Sequence, residues 1–284
     1  MIKFKVPATS ANIGPGFDCL GIAYEYYNTY EVEKSDKMLI EGCDKAYTTA
    51  DNIFNLAFKK TMKVLKKKGS FHVHYTPTIP SSRGLGSSAS VIVAGCKTAN
   101  ILYGGKNKLS DDMIFQIASS IEGHPDNTAP AIFGGLTASI KLPDGSFHTT
   151  KFAVSNKLSF AVLIPDFKTS TEEARKILPS MYKKEEVVAT ISHSILMVEA
   201  LRKGDFKLLK DVCKDYIHEP YRKTLIKDYS YIKKEIEKNN DAILLISGSG
   251  PTLLCISRKK DFYKNIKLKN TKADWEIKNL KIKK

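Results

Sequence analysis

The segment Pro80-Ser-Ser-Arg-Gly-Leu-Gly-Ser-Ser-Ala-Ser90 has the composition that most directly implies chemistry in this chain. Gly84 and Gly86 let the backbone turn tightly and approach a ligand with no Cβ in the way, and Ser87 and Ser88 stand where a helix would begin. The free N–H groups and positive dipole end of such a helix suit a phosphate. A glycine turn closed by a serine N-cap is built from the same residues, so the local pattern leaves both readings open. It is not a Walker A loop, which ends in Gly-Lys-Ser/Thr, and it lacks the third glycine of the dinucleotide fingerprint. Arginine is the second signal. Among 45 Lys and Arg it occurs only at positions 83, 175, 202, 222 and 258, and in a chain that uses Lys by default an Arg suggests planar, bidentate anion recognition.

Gly84-Leu-Gly-Ser-Ser-Ala89 resembles the phosphate loop of the GHMP kinases, the superfamily of galactokinase, homoserine, mevalonate and phosphomevalonate kinases. Pro7-Ala-Thr-Ser-Ala-Asn-Ile-Gly-Pro-Gly-Phe-Asp-Cys-Leu-Gly21 resembles the first motif in its homoserine kinase form, and Ile246-Ser-Gly-Ser-Gly-Pro-Thr252 resembles the third. Glu122-Gly-His-Pro-Asp-Asn-Thr-Ala-Pro-Ala-Ile-Phe-Gly-Gly135, Glu173-Ala-Arg-Lys-Ile-Leu-Pro179 and Glu219-Pro-Tyr-Arg222 look specifically like that branch. The matches run in the family's order from residue 7 to residue 252.

The resemblance implies an α+β, two-lobed fold: an N-terminal lobe like ribosomal protein S5 domain 2 over residues 1–154 and a ferredoxin-like C-terminal lobe over 155–284, with ATP and substrate between them. It implies that Gly84, Leu85, Gly86, Ser87 and Ser88 wrap the triphosphate, with Arg83 beside them, and that Asn52 lies near the nucleotide, although N-capping of a helix explains Asn52 equally well. The implied reaction is ATP-dependent phosphorylation of the side-chain hydroxyl of L-homoserine in threonine biosynthesis. A zwitterion with a terminal hydroxyl needs an acid for its ammonium, a cation fork for its carboxylate and hydrogen bonds that hold the hydroxyl near the γ-phosphate. By resemblance Asp18 is the ammonium partner, Arg175 and Arg222 are the carboxylate and phosphate clamps, and Asn12, His124, Asp126 and Asn127 surround the substrate. Taken singly, Asp18 and Asn12 could merely order a turn, and His124 could serve a loop hydrogen bond. Phosphoryl transfer through a loose transition state asks mainly for alignment and charge neutralisation, so Asn127 orienting the hydroxyl and Arg175 stabilising charge come first, and Asp126 as general base second.

One position departs from the pattern. Many members carry the magnesium-binding glutamate ten residues before the aspartate of the His-x-Asp-Asn segment, and that position here is the neutral Gln116. A hard dication bridging phosphates wants an anionic oxygen, so Glu122 is expected to replace it, with the Ser88 hydroxyl as the second ligand of Mg2+. Other readings are a mevalonate- or shikimate-type kinase, whose substrates have no ammonium for Asp18 to meet, a non-catalytic binding protein of the same fold, and a nucleic-acid binder using a basic tail.

The elements that must hold these residues are legible in the periodicity. Residues 2–6 and 25–33 read as paired strands with a Gly/Pro/Asn loop between them. Helical spacing covers 51–67, and a strand over 71–79 leads through the glycine loop into a buried helix over 87–103. Ser110 starts a helix that stops at Gly123; strands follow over 136–142, to about 154, and over 158–164. Ser170 and Glu173 have capping-box spacing, and helices are expected over 185–203, 205–216 and 224–239, with strands over 242–246 and 252–257. Strands and helices mix without a regular βαβ period, which favours α+β.

Composition narrows the class. With 42% hydrophobic and 26% charged residues, the chain resembles ordinary globular proteins and can bury a core. The formal charge is +15, of which +8 lies in residues 258–284, and its carriers are mostly Lys; a solvated lysine surface is expected, with no nucleic-acid or membrane partner. Pro7, Asn12, Gly14, Pro15 and Gly16 interrupt any export signal, and the apolar runs at 158–165 and 242–246 fall short of the roughly 18 residues of a spanning helix. Cys19, Cys43, Cys96, Cys213 and Cys255 are scattered and odd in number, which suits a reducing cytoplasm; a homodimer is compatible with all of this.

Overall fold

The computed structural model describes residues 1–239 and 241–284. In chain order the elements are β1 (Ile2–Ala11), β2 (Leu20–Ser35), β3 (Leu39–Glu41), α1 (Ile53–Leu65), β4 (Ser70–Thr76), α2 (Ser87–Tyr103), α3 (Asp111–Glu122), α4 (Thr128–Phe133), β5 (Leu136–Lys141) and β6 (Phe147–Phe152). There follow β7 (Ser159–Pro165), α5 (Thr171–Lys176), α6 (Lys184–Lys203), α7 (Phe206–Val212), α8 (Glu219–Arg222), α9 (Tyr229–Asn239), β8 (Ala242–Ile246), β9 (Leu253–Ser257) and β10 (Trp275–Leu280). Two sheets with helices packed on them make an α+β fold, as the mixed pattern implied.

The first sheet runs β3-β4-β2-β5-β6, and β1 pairs with β2. The 16-residue β2 is its spine, antiparallel to β1 along one edge and to β4 and β5 along the other. α1 presents Phe54, Ala57, Phe58, Met62 and Leu65 at helical spacing, and these meet Ile92, Val93 and Cys96 of α2, Phe115 of α3, and Val32, Phe71 and Val73 of the sheet in one core. Burial of each such large apolar side chain contributes about 1.5–3 kcal/mol, which is what holds α2 and its N-terminus in place.

The second sheet has the order β10-β7-β9-β8, all antiparallel. β7, β8 and β9 are nearly continuous apolar runs because both faces are covered, whereas the edge strand β10 alternates apolar with polar residues. Phe160, Val162, Leu245 and Leu254 pack toward α6, α7 and the first sheet's Ile22 and Tyr24. Ala161, Leu163, Leu244 and Cys255 pack toward Ile232 and Ile236 of α9.

Several expected boundaries move. The strands read as 2–6 and 25–33 extend to Ala11 and back to Leu20, so the loop between them shrinks to residues 12–19. Pro7 does not break β1 because the register shifts between Pro7 and Thr9, and a bulge is where a strand tolerates proline. The helix expected over 205–216 stops at Val212, and the one expected over 224–239 starts only at Tyr229, as α9, after a short 3-10 turn over Lys223–Leu225. Asp228, at φ 61, interrupts it. The short β3 and α4 carry too few residues for periodicity to register. Trp275 opens β10, paired to β7. All five cysteines are free thiols, and no helix among the described residues is long and apolar enough to cross a membrane.

Candidate active site

The glycine loop falls between β4 and α2 and is built around backbone that only glycine serves well. Gly84 and Gly86 have φ of +76 and +66, and a Cβ on Gly84 would lie 2.2 Å from the Ser247 carbonyl oxygen, one on Gly86 1.9 Å from Thr9 Oγ1. Gly86 itself takes the N-cap position, and no side chain caps α2. Ser87 and Ser88 are therefore not capping residues; the first-turn N–H groups are left for whatever enters the cavity of about 320 Å3 that Gly84, Gly86, Ser87 and Ser88 line. Leu85 points inward, fully buried, and its carbonyl accepts from Thr9 N at 3.1 Å. Arg83 lines the cavity with its guanidinium already committed: it donates to the carbonyls of Pro165 at 2.9 Å, Ser81 at 3.2 Å and Asp166 at 2.7 Å, fastening the loop to the end of β7.

A chain of buried hydroxyls ties this loop to the other motifs. Tyr24 Oη donates to Ser10 Oγ at 2.8 Å, Ser10 Oγ lies 2.5 Å from Ser247 Oγ, and Ser247 Oγ donates to the Gly84 carbonyl at 2.6 Å. Gly248 N donates to Ala11 O and Thr252 N to Arg83 O. β1, the glycine loop and the β8–β9 turn thus meet as one unit. Thr9 hydrogen bonds Asn127 Oδ1 at 2.7 Å and orients that carboxamide in the cavity wall.

The substrate-side residues converge from four elements. Arg175 on α5, Arg222 on α8, Asn12, His124 and Asn127 all line the same cavity. Arg175 donates twice to the Asp18 carboxylate, at 3.0 and 2.8 Å, so the expected ammonium partner and carboxylate clamp are paired with each other. Asn12 Oδ1 accepts from Asp18 N at 2.8 Å, and both residues have positive φ, 53 and 52; the turn-ordering role and the site position coincide. Arg222 is 1% exposed, donates to the carbonyls of Ala174 and Gly248 at 3.1 Å each, and stands 5.1 Å from the Phe17 ring. Burial pushes its pKa down, to about 10.

Asp126 sits behind His124 rather than in the cavity wall. Fully buried, it meets His124 Nδ1 at 2.5 Å, and its Oδ2 has no hydrogen-bond partner among the described residues. Burial disfavours the His124 imidazolium, but the hydrogen bond and charge of Asp126, joined by Glu122, outweigh that and raise its pKa above the ordinary histidine value. Donor atoms of Asp18, His124 and Asp126 lie within 4.8 Å of one another.

Glu122 ends α3 at the cavity and accepts from the Ser88 hydroxyl at 3.0 Å. Burial raises its pKa, the condition of a carboxylate that gains from a cation beside it. Gln116, one and a half turns earlier on α3, is turned away: its amide donates to Phe147 O at 2.7 Å and accepts from Phe147 N at 2.9 Å. A carboxylate and a hydroxyl side by side at the phosphate loop are the hard oxygen donors that fit Mg2+.

The far arm of the cavity is apolar, lined by Ile40, Cys43, Ile53, Val73, Tyr75 and Val91. Asn52 reaches it too, while its Oδ1 caps α1 by accepting from Phe54 N at 2.7 Å and its amide donates to Tyr47 O. Both readings of Asn52 hold together. Sequence reasoning passed over Thr9, Phe17, Tyr75, Thr171 and Ser249. Thr9 and Phe17 lie inside the quoted first motif and Ser249 inside the third, whereas Tyr75 carried no signal beyond strand alternation.

Two family models match the chain, GHMP kinases N terminal domain over residues 52–135 and GHMP kinases C terminal over residues 197–272, which sets the class: a GHMP kinase. It is 43% identical to a homoserine kinase of Clostridium botulinum (strain Okra / Type B1), across 99% of this chain and 96% of the relative, and 38% identical to that of Caldicellulosiruptor saccharolyticus, across 98% and 92%. The crystal structure of homoserine kinase from Cytophaga hutchinsonii superposes with a TM-score of 0.85 at 27% identity, covering 99% of this chain and 96% of that one. The chain belongs to the homoserine kinase family.

Proposed function

We propose that this chain transfers the γ-phosphoryl group of ATP to the side-chain hydroxyl of L-homoserine, giving O-phospho-L-homoserine on the route to threonine. The observation that supports it most is that one cavity joins an uncapped helix N-terminus to two arginines, one of them paired with Asp18. The α2 N–H groups with Ser87 and Ser88 bind phosphate oxygens, and the apolar arm near Asn52 takes the base. A homoserine zwitterion exchanges into the Arg175–Asp18 pair, its carboxylate on Arg175 and Arg222 and its ammonium on Asp18. The exchange is cheap because Arg175 and Asp18 are 39% and 35% exposed, where an ion pair is worth about 0–1 kcal/mol. No unpaired charge is left behind, which an anionic substrate without an ammonium would not achieve.

Asn127, oriented by Thr9, holds the acceptor hydroxyl in line, and Arg175 neutralises charge that develops during transfer. Asp126 fixes the His124 ring through Nδ1, so the other ring nitrogen is what His124 offers the cavity. Ser88 and Glu122 would hold Mg2+, which would supply positive charge to offset that of the phosphates. The site divides between a lobe of residues 1–154 and one of 155–284; a cytoplasmic location and a homodimer go with this reading.

A coupled assay with homoserine, mevalonate, shikimate and galactose tests it, alongside Arg175→Ala and Arg222→Ala. Homoserine turnover alone is expected, reduced about a hundredfold or more in both variants while nucleotide binding persists. Turnover of a non-amino substrate only would reject the assignment.

A further inference from the structure

Arg222 is oriented by a residue that none of the site features above employs. His218 opens α8 one turn before it and is fully buried. Its Nε2 lies 2.9 Å from the Gly14 carbonyl, its Nδ1 lies 3.5 Å from Arg222 Nη1, and its ring stacks on Phe17 with centroids 5.4 Å apart. A carbonyl only accepts, so the Gly14 contact assigns the proton to Nε2 and leaves a lone pair on Nδ1, facing the guanidinium. Burial lowers the His218 pKa against the attraction of Asp215 and the ring's backbone hydrogen bonds, and Arg222 lowers it further; a guanidinium only donates, so the Nδ1 that faces it accepts. Asp215 holds the ring's backbone: its carboxylate accepts from the N–H groups of Ile217, His218 and Glu219 at 3.0, 2.7 and 2.7 Å. Gly14 belongs to the loop that carries Asn12 and Asp18, and Phe17 of that loop lies under both arginines, 5.8 Å from Arg175 and 5.1 Å from Arg222.

We propose that His218 is a positioning residue for the amino-acid half of the site, aiming the Arg222 guanidinium through Nδ1 and fixing the Asn12–Asp18 loop through Nε2–H. The inference rests on the reading that Arg222 and Asp18 receive the substrate's charged groups. It predicts that damage at His218 falls on the amino acid and spares the nucleotide, because the side-chain contacts of His218 among the described residues go to Gly14, Phe17, Asp215 and Arg222.

Steady-state kinetics of His218→Phe, His218→Asn and His218→Gln test this. His218→Phe keeps a stacking ring and loses both polar contacts; the KM for homoserine is expected to rise about tenfold or more, with the KM for ATP within about twofold of the parent. His218→Asn returns an acceptor near the Nδ1 position and His218→Gln a donor near the Nε2 position, so each recovers part of the lost homoserine affinity. The two conservative variants carry the test alone if His218→Phe does not fold. Equal increases in both KM values, an unchanged homoserine KM, or no difference between the Phe and the conservative variants would overturn the proposal. The parent protein in the same assay checks the reading beneath it: absent homoserine turnover there rejects the substrate assignment, not the role of His218.

Discussion

Replacing Gln116 by glutamate puts a carboxylate where the sequence resemblance led a metal ligand to be expected, yet the geometry predicts no gain in metal binding. Gln116 uses both ends of its amide on Phe147, donating at 2.7 Å and accepting at 2.9 Å, and so pins α3 to the first residue of β6. A carboxylate keeps the acceptor and sets its second, anionic oxygen against the Phe147 carbonyl. Losing the donor and leaving that carbonyl unsatisfied costs about 1–3 kcal/mol. In a protein of this size that corresponds to a fall in Tm of roughly 2–5 °C by differential scanning fluorimetry. The Mg2+ concentration for half-maximal turnover should stay within about twofold in Gln116→Glu, and rise about tenfold or more in Glu122→Gln, which removes the charged oxygen beside Ser88. A Gln116→Glu variant that binds Mg2+ more tightly, or a Glu122→Gln variant with unchanged Mg2+ dependence, would refute the assignment of the metal position to Glu122.

Three other perturbations have defined outcomes. Gly86→Ala forces a methyl group to 1.9 Å of Thr9 Oγ1 at φ +66; a fluorescent nucleotide titration should show ATP affinity down by about tenfold or more. Ser247→Ala removes the donor to the Gly84 carbonyl and the partner of Ser10, which should lower the urea midpoint by an amount equivalent to about 1–3 kcal/mol and weaken nucleotide binding together. Glu219 is buried, accepts from Ile246 N at 2.7 Å, and has its pKa pushed by burial up to about 8. That lies above the unfolded value near 4.5, so the stability held by the protonated form is whole below that pH and is lost as pH rises toward about 8. Glu219→Gln should flatten the fall in urea-measured stability over this window, by an amount on the order of a few kcal/mol; parallel curves for parent and variant would exclude the mechanism.

What the sequence disclosed depended on how locally each feature is encoded. Gly84, Gly86 and the serines after them suggest a phosphate loop because their backbone demands are intrinsic to the residue types, α1 was legible because burial repeats at helical spacing, and α2 because small and apolar residues dominate it. Pro7 misled because a proline tolerated at a bulge looks the same as one that ends a strand. The Arg175–Asp18 pair spans 157 positions and the Thr9–Asn127 contact 118, so no local pattern could reveal either; the residues were found by resemblance, and their pairing only by the fold. His218 stood directly before the quoted Glu219-Pro-Tyr-Arg222 and passed unremarked, since a histidine's role depends on which carbonyl its ring finds.

The hydroxyl chain from Tyr24 through Ser10 and Ser247 to Gly84 joins positions drawn from the beginning, the first third and the last seventh of the polypeptide. While the chain is being synthesised, the glycine loop emerges more than 160 positions before the serine that fastens it. A nascent chain therefore has helices and most of a sheet long before the glycine loop gains its Ser247 anchor, and on the proposed reading ATP favours the anchored loop only after β8 has left the ribosome.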